Sequence, residues 1–346
     1  MRGSRISALG LACLLATAPA LAAGSHAPAS KHATAKQARL AAEAHAKALL
    51  GFQHDLVSVL APSADAMPLL GAALLARPLA DQPRVDSFHV LIARAAQASD
   101  AGPAVTWAQL SDCDPKAETC PNAQALAKLT TQAPNNAAVW LLKLGQDLRN
   151  MHKQDALADL HRAANAAVYD DYAGISLKAL VNAVATLPPP ATLDPASKSG
   201  AAGVVMTIAF GLAAAQPQPG LPVVAQFCKD ESGKAAVKAD CLKLGKLLEW
   251  GSSPLARSLG LHLRETLDSD PTQQQSARDA YRNLVWQVQN FARLATDAAQ
   301  NDPAEAQHLL RLARNGGTQM SLMLAALRDA NIATEAPAGW QPQPAE

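Results

Sequence analysis

The stretch NNAAVWLLKLGQDLRNMHKQDALADLHRAANAAVYDDY, residues 135–172, carries two apolar stripes separated by a short polar turn. Asn136 follows Pro134 and is a favourable N-cap for a helix. Apolar residues recur at three- or four-residue steps on each side of the turn, which is the periodicity of an amphipathic helix. The stretch predicts two antiparallel helices joined tightly. The stripes are Trp140, Leu141, Leu144 and Leu148, and then Ala156, Leu160, Ala163 and Ala167.

Four residues give this hairpin a resemblance to the tetratricopeptide repeat. Trp140 falls where that family places its first-helix aromatic residue, and the second helix matches the family's small, large and small packing positions. Those three positions are held by Ala156, Leu160 and Ala163. The chain departs from the pattern at Lys143-Leu144, Asp147 and Val168, where the family has Leu-Gly, Tyr and Pro. The resemblance implies a right-handed stack of helical hairpins with a concave groove that binds a peptide or protein.

Helical periodicity extends over most of the chain. We expect helices at about 38–60, 67–76 and 85–98, two more that begin at Asp270-Pro271 and Asp302-Pro303, and a last one that ends near Ala330. Aromatic residues make up only 4% and alanine dominates the apolar residues, which favours closely packed helices over a sheet core. The predicted fold class is all-α, with stacked antiparallel helical hairpins and two disulfide-tied loops.

The run LPPPATLDPASKSG, residues 187–200, interrupts the periodicity. We predict a Pro-rich linker at 188–200 between an N-terminal helical segment at 36–187 and a C-terminal one at 201–332. Residues 23–35 are predicted to form a flexible arm and residues 333–346 a disordered tail. Four tryptophans fall in apolar runs and are predicted core anchors. They are Trp107, Trp140, Trp250 and Trp286.

Residues 1–22 have the organisation of a secretory signal peptide. Arg2 and Arg5 precede an apolar run that is too short to span a bilayer, and Ala20-Leu21-Ala22 offers a small-x-small cleavage site. We expect cleavage after Ala22, a periplasmic or secreted location and no transmembrane segment in the mature chain. The alanine-rich composition points to a bacterial source.

Four cysteines remain after that cleavage, and an even count in an exported chain favours disulfides. The pairs close in sequence are Cys113 with Cys120 and Cys228 with Cys241. A zinc site is an alternative, although both spacings are wider than is usual in structural zinc sites. Redox chemistry is a further alternative, but the CxxC motif of thioredoxin-type pairs is absent.

Charge and motifs restrict the function classes. The formal net charge is +1 and the basic residues are scattered among acidic ones, so we expect no nucleic-acid partner. HExxH, GxSxG, Walker and dinucleotide-binding motifs are absent. We predict no cofactor, no metal and no catalytic residue.

Three groups of residues could nevertheless form a site. Tyr169, Asp170, Asp171 and Tyr172 place two carboxylates between aromatic rings, where they could bind a cation or act as an acid/base pair. The alternative is a solvated turn whose tyrosines cover the core.

Arg278 and Arg282 lie side by side at helical spacing and, with Arg293, could bind an anion or form a solvated ion-paired face. His152 and His161 could meet at a metal, or lie separately on the surface.

The leading functional prediction is an exported, non-catalytic scaffold or binding protein that recognises a peptide or protein partner in a helical-repeat groove. The alternative is an envelope hydrolase with a carboxylate site near Tyr169–Tyr172. A purely structural role in a secretion assembly is a third possibility.

Overall fold

The computed structural model describes residues 28–113, 120–193, 198–215 and 221–342, with side chains described from residue 35 onward. The predicted signal peptide lies outside the described residues. The described part contains fifteen α-helices, two short 3-10 turns at Arg84–Asp86 and Ala191–Leu193, and no β-strand. The α-helices are α1 (Pro28–Leu60), α2 (Ala66–Ala76), α3 (Phe88–Gln97), α4 (Pro103–Gln109), α5 (Ala123–Gln132), α6 (Ala137–Arg149), α7 (Lys153–Ala164), α8 (Ala173–Val184), α9 (Gly200–Ala214), α10 (Leu221–Asp230), α11 (Ala235–Leu248), α12 (Pro254–Leu267), α13 (Pro271–Asn301), α14 (Pro303–Asn315) and α15 (Gln319–Asp329).

The all-α prediction is confirmed, and the capping residues explain several helix starts. The side chains of Asn136, Asp270 and Asp302 each accept a backbone N–H at the start of α6, α13 and α14. Proline occupies the first helical position of α13 and α14, where its missing N–H costs nothing. Helix α1 begins at Pro28 instead of about residue 38, so it includes part of the predicted flexible arm.

The helices pack around two large apolar cores. The first core contains residues of α1, α2, α3, α8, α9 and α14, with contributions from α4, α13 and α15. The second core contains residues of α4, α5, α6, α7, α10, α11 and α12 together with Tyr169 and Tyr172. A smaller cluster joins α12, α13 and α15. Each large core draws on residues from both sides of the predicted linker at 188–200, so the linker does not separate two cores.

Many helices pack against their neighbours in the chain, as α6 does with α7 and α11 with α12, but several packings join helices that are distant in sequence. Helix α2 packs against α8, α7 against α11, and α14 against both α8 and α9. In a solenoid, each repeat contacts mainly its neighbours in sequence. The long-range pairs instead build a helical body in which distant segments are interleaved.

A polar network joins α6 and α7, the two helices of the hairpin at residues 135–172. Lys143 Nζ lies 2.6 Å from Asp147 Oδ2 on α6 and 3.2 Å from Asp159 Oδ2 on α7. Arg162 Nη1 lies 2.7 Å from Asp159 Oδ1, and its guanidinium lies 4.9 Å from the centre of the Trp140 ring. Lys143 and Asp147 are two of the departures from the tetratricopeptide pattern. Lys143 pairs with Asp159 of α7 and with Asp147 of its own helix, so charged side chains occupy two positions where that family has Leu and Tyr.

The C-terminal tail differs from the prediction of disorder. Trp286 Nε1 donates to the Ala333 carbonyl oxygen at 2.8 Å, and the Trp286 and Trp340 rings lie 5.3 Å apart in an edge-to-face arrangement. Ala336 is buried and its N–H donates to Asn283. Ala333, Thr334, Ala336 and Trp340 therefore contact α13, and Trp340 gives this proline-containing segment an aromatic anchor. Residues 343–346 lie outside the described chain.

The predicted tryptophan anchors also need correction. Trp107 is buried in the second core, whereas Trp140 and Trp286 are only partly buried. Trp250 is 76% exposed, because it lies in the turn after α11 and not on a core-facing helix position.

Both predicted cysteine pairs are disulfides. Cys228 of α10 and Cys241 of α11 are fully buried in the second core. Cys113 and Cys120 flank residues 114–119, which lie outside the described chain. Because the sulfur atoms of each pair are bonded to each other, the zinc and thiol alternatives do not apply to them. Within the described ranges, no helix is long and apolar enough to cross a membrane.

Candidate binding cavity

A cavity of about 280 Å³ lies where the two large cores meet. Its apolar wall includes Leu74 from the first core and Trp107, Leu141 and Leu142 from the second. Three charged residues also line it. They are Arg77 just after α2, Arg149 at the end of α6, and Asp171 just before α8.

Asn136 holds the turn that brings Asp171 to the cavity. Its amide donates to the Asp170 carbonyl oxygen at 2.7 Å and to the Tyr172 hydroxyl oxygen at 3.2 Å. Its Oδ1 accepts the Asp170 N–H at 2.9 Å and also caps α6. One buried side chain therefore ties the start of α6 to the turn 170–172, and the Tyr172 ring packs edge-on against Trp107 with centres 5.6 Å apart.

Asp171 is a buried carboxylate without a cationic partner in the described chain. It is 4% exposed. Its Oδ1 accepts the Ser252 hydroxyl at 3.0 Å and the Ala173 N–H at 3.3 Å, while the Ser252 oxygen accepts the Asp171 N–H at 3.1 Å. Its Oδ2 is buried and makes no hydrogen bond within the part described.

Asp170 is partly buried, and its carboxylate makes different contacts from that of Asp171. Its Oδ1 accepts the Tyr172 N–H at 2.8 Å. Burial raises the pKa of Asp170 above its ordinary value, and the charge of Asp171 raises it further against the effect of the Tyr172 N–H. Burial also raises the pKa of Tyr169 and Tyr172. The alternative of a solvated turn is wrong for Asp171, which is buried, while Tyr169 and Tyr172 pack on the core as that alternative expected.

Arg77 places a guanidinium at the cavity wall in a largely apolar setting. Its Nη2 donates to the Ala108 carbonyl oxygen at 3.3 Å and to the Ser111 hydroxyl oxygen, and the guanidinium lies 4.3 Å from the centre of the Phe88 ring. Burial lowers its pKa to about 10, although the charge of Asp112 opposes that shift. Arg77 therefore remains a cation at neutral pH.

Arg149 provides a second guanidinium, and Gly145 lies one helical turn before it. Arg149 Nη2 donates to the Cys120 carbonyl oxygen at 3.2 Å, and no carboxylate of the described residues lies within ion-pair distance of it. Gly145 also lines the cavity, and a Cβ built there would meet only Arg149 Nη1, at 3.8 Å. A Cβ at position 145 would therefore fit without a clash and would lie on the cavity wall.

The other predicted site residues lie elsewhere. Arg278 is exposed on α13, where it bonds Gln275 at 2.9 Å and lies 3.7 Å from Glu265. Neither Arg278 nor Arg282 lines the cavity. Arg293 bonds Asn290 of the same helix. Anion binding on this helix stays a prediction.

The two histidines are not brought together. His161 pairs with Asp240 of α11 at 3.1 Å, and His152 lies 3.9 Å from Asp147. Ligand atoms of Asp147, His152 and Asp155 lie within 4.8 Å of one another. Because Asp147 already bonds the Lys143 ammonium at 2.6 Å, a metal there would compete with an ion pair.

Sequence reasoning found Asp171 and the capping role of Asn136 but missed Arg77, Arg149 and Ser252. Arg77 had a signal, since it is the first charged residue after the apolar run 66–76. No signal in the sequence indicated Ser252, because it is 81 residues from Asp171 and lies in an ordinary turn between helices.

Comparison of the chain with protein-family models, curated proteins and solved structures finds no significant match.

Proposed function

We propose that the chain is an exported, non-catalytic binding protein that recognises a peptide or a segment of a protein partner. Two disulfides support the exported location, because such bonds persist in oxidising compartments. A periplasmic or secreted location after removal of residues 1–22 belongs to the same proposal.

The observation that carries the proposal is the cavity between the two cores. It combines apolar walls with a few charged groups of both signs, which is typical of ligand pockets. Its volume of about 280 Å³ is close to the lower end, about 300 Å³, of small-ligand pockets. One or two residues of a peptide suit that space, and the rest of the partner would lie on the surrounding surface.

A tetratricopeptide-like groove is the form of this proposal that the sequence suggested. The hairpin of α6 and α7 supports it through Trp140 and Leu160, which take the aromatic and large positions of that repeat. The interleaved packing of the other helices favours the cavity over an extended groove as the contact site.

The test uses a pool of random tetrapeptides passed over the immobilised, oxidised protein. Retained peptides are identified by mass spectrometry. Gly145→Leu should abolish retention, because the new side chain fills the cavity while leucine has higher helix propensity than glycine.

Gly51→Leu is the matched control, since Gly51 also lies inside a helix and a Cβ there meets nothing within 4 Å. Equal retention by both variants would place binding outside the cavity. No retention by the wild-type protein would refute peptide binding.

A hydrolase is the second candidate, because Asp170 has a raised pKa and adjoins a second carboxylate. A carboxylic acid that stays protonated at higher pH is a suitable general acid. Turnover of ester, glycoside or peptide substrates that Asp170→Asn abolishes, with the fold retained, would favour this candidate over binding.

A further inference from the structure

We infer that the cavity receives the free carboxyl terminus of a peptide whose last residue is apolar. This inference rests on the proposed peptide-binding function and names the part of the peptide that is recognised. Three features of a C-terminal residue have a counterpart in the lining: its carboxylate, its side chain and its N–H.

The carboxylate is matched by the guanidinium groups. Arg149 and Arg77 line one cavity, and arginine presents planar N–H donors that fit a carboxylate in two-point contacts. Arg149 bonds a neutral carbonyl oxygen and is not neutralised by a carboxylate of the described chain. Arg149 is exposed, so its guanidinium is accessible to an anionic group of the ligand.

The side chain is matched by the apolar wall. Trp107, Leu141 and Leu142 line the same space, and burying an aliphatic side chain of the ligand against them is favourable. A peptide with an acidic last side chain would lack this favourable free energy of apolar burial.

The N–H is matched by Asp171. Two cationic groups and one carboxylate on the wall of a single cavity orient a ligand that has a negative end and a hydrogen-bond donor. Asp171 Oδ2 has no hydrogen-bond partner among the described atoms, so a donor from the ligand would satisfy it. Because Oδ2 is covered by protein atoms, the carboxylate must rotate slightly to make that contact.

Calorimetric titration separates this inference from general peptide binding. The probes are acetyl-Ala-Ala-Leu with a free carboxylate and the same peptide as its C-terminal amide. We expect the amide to bind at least about tenfold more weakly, which corresponds to about 1.4 kcal/mol. Arg149→Gln should weaken the free acid by a similar factor and leave the amide nearly unchanged, because each change removes the same contact.

The control variant is Arg39→Gln, since Arg39 is 82% exposed on α1 and does not line the cavity. It should bind both peptides like the wild type. Equal affinity for acid and amide would overturn the carboxyl-terminus inference while leaving the proposed function intact. Binding of neither peptide, together with an empty random-peptide screen, would overturn both.

Discussion

Two groups of buried carboxylates in this protein differ in how their charge is compensated. Asp147 and Asp159, between α6 and α7, lie within 4 Å of the cations of Lys143 and Arg162. Asp171, at the start of α8, receives hydrogen bonds only from a hydroxyl and a backbone N–H in the described chain. Buried charges are costly unless they are paired, and the first group has cations beside it. One buried oxygen in each group, Asp159 Oδ2 and Asp171 Oδ2, makes no hydrogen bond in the described chain, but only Asp171 also lacks a neighbouring cation there.

Asp147 and Asp159 differ in the direction in which the protein shifts their pKa. Burial raises the pKa of Asp159, and its contact with Asp147 raises it further. Burial also opposes ionisation of Asp147, but the Lys143 ammonium outweighs that effect and lowers the pKa of Asp147. The same contacts raise the pKa of Lys143 despite its partial burial. Asp147 is therefore the more firmly ionised carboxylate of the network.

The largest expected effect is on stability, from Asp159→Ala. Asp159 is 0% exposed and holds Lys143 and Arg162 across the hairpin, so its removal should lower the free energy of unfolding by about 2 to 4 kcal/mol. Urea unfolding of the oxidised protein measures this. Asp279→Ala, at an exposed position of α13, should change stability by less than about 0.5 kcal/mol. Equal effects of the two variants would show that the buried ion pairs of Asp159 do not stabilise the fold.

Asp171→Asn should have a smaller effect on stability, within about 1 kcal/mol of the wild type. The asparagine Oδ1 can keep both hydrogen bonds, and an amide is less costly to bury than a carboxylate, although a favourable charge near the start of α8 is lost. The same urea titration measures it. A loss as large as that of Asp159→Ala would show that Asp171 is a structural residue like those of the hairpin.

The pH dependence of stability should change in Asp170→Asn. The folded-state pKa of Asp170 lies above its ordinary value of 3.8 because of burial, so its contribution to stability is present below that value and is lost as pH rises through the raised pKa. The variant lacks this dependence. Its stability relative to the wild type should therefore increase with pH across that window, as urea unfolding at pH 4 and pH 7 would measure. A relative stability that falls with pH would contradict the raised pKa.

The smallest effect is expected from His161→Ala. His161 bonds Asp240 across α7 and α11, but its side chain is 68% exposed, and exposed ion pairs contribute little. We expect a change below about 0.5 kcal/mol in the free energy of unfolding. A loss of about 2 kcal/mol or more would mean that this exposed pair stabilises the fold as much as the buried network does.

Local sequence signals predicted much of the architecture. Helix starts at Asn136, Asp270 and Asp302 followed from capping chemistry, because a cap bonds backbone groups two or three residues away. The tail was mispredicted because its prolines suggested disorder, whereas the contact that orders it joins Trp340 to Trp286 on another element. Trp250 was mispredicted because an apolar run does not tell which residue falls in the turn that ends it.

The candidate cavity was less accessible to prediction than the helices. Asp171 stood out as one of two carboxylates between tyrosines, yet its partner Ser252 is 81 residues away. Arg77, Trp107 and Arg149 come from three different helical regions. Nothing in the spacing of these residues indicates that they share a cavity.

The sequence by itself determined the helical class, favoured the two cysteine pairs and indicated the apolar face of several helices, because periodicity and short loops are local properties of the chain. Only the tertiary structure decided that α7 packs on α11, that α2 packs on α8, and that two cores meet at a cavity lined by Arg77, Arg149 and Asp171. The physical reason is that alanine- and leucine-rich faces are interchangeable as local patterns. Which face meets which depends on how the side chains of the whole molecule fill space together.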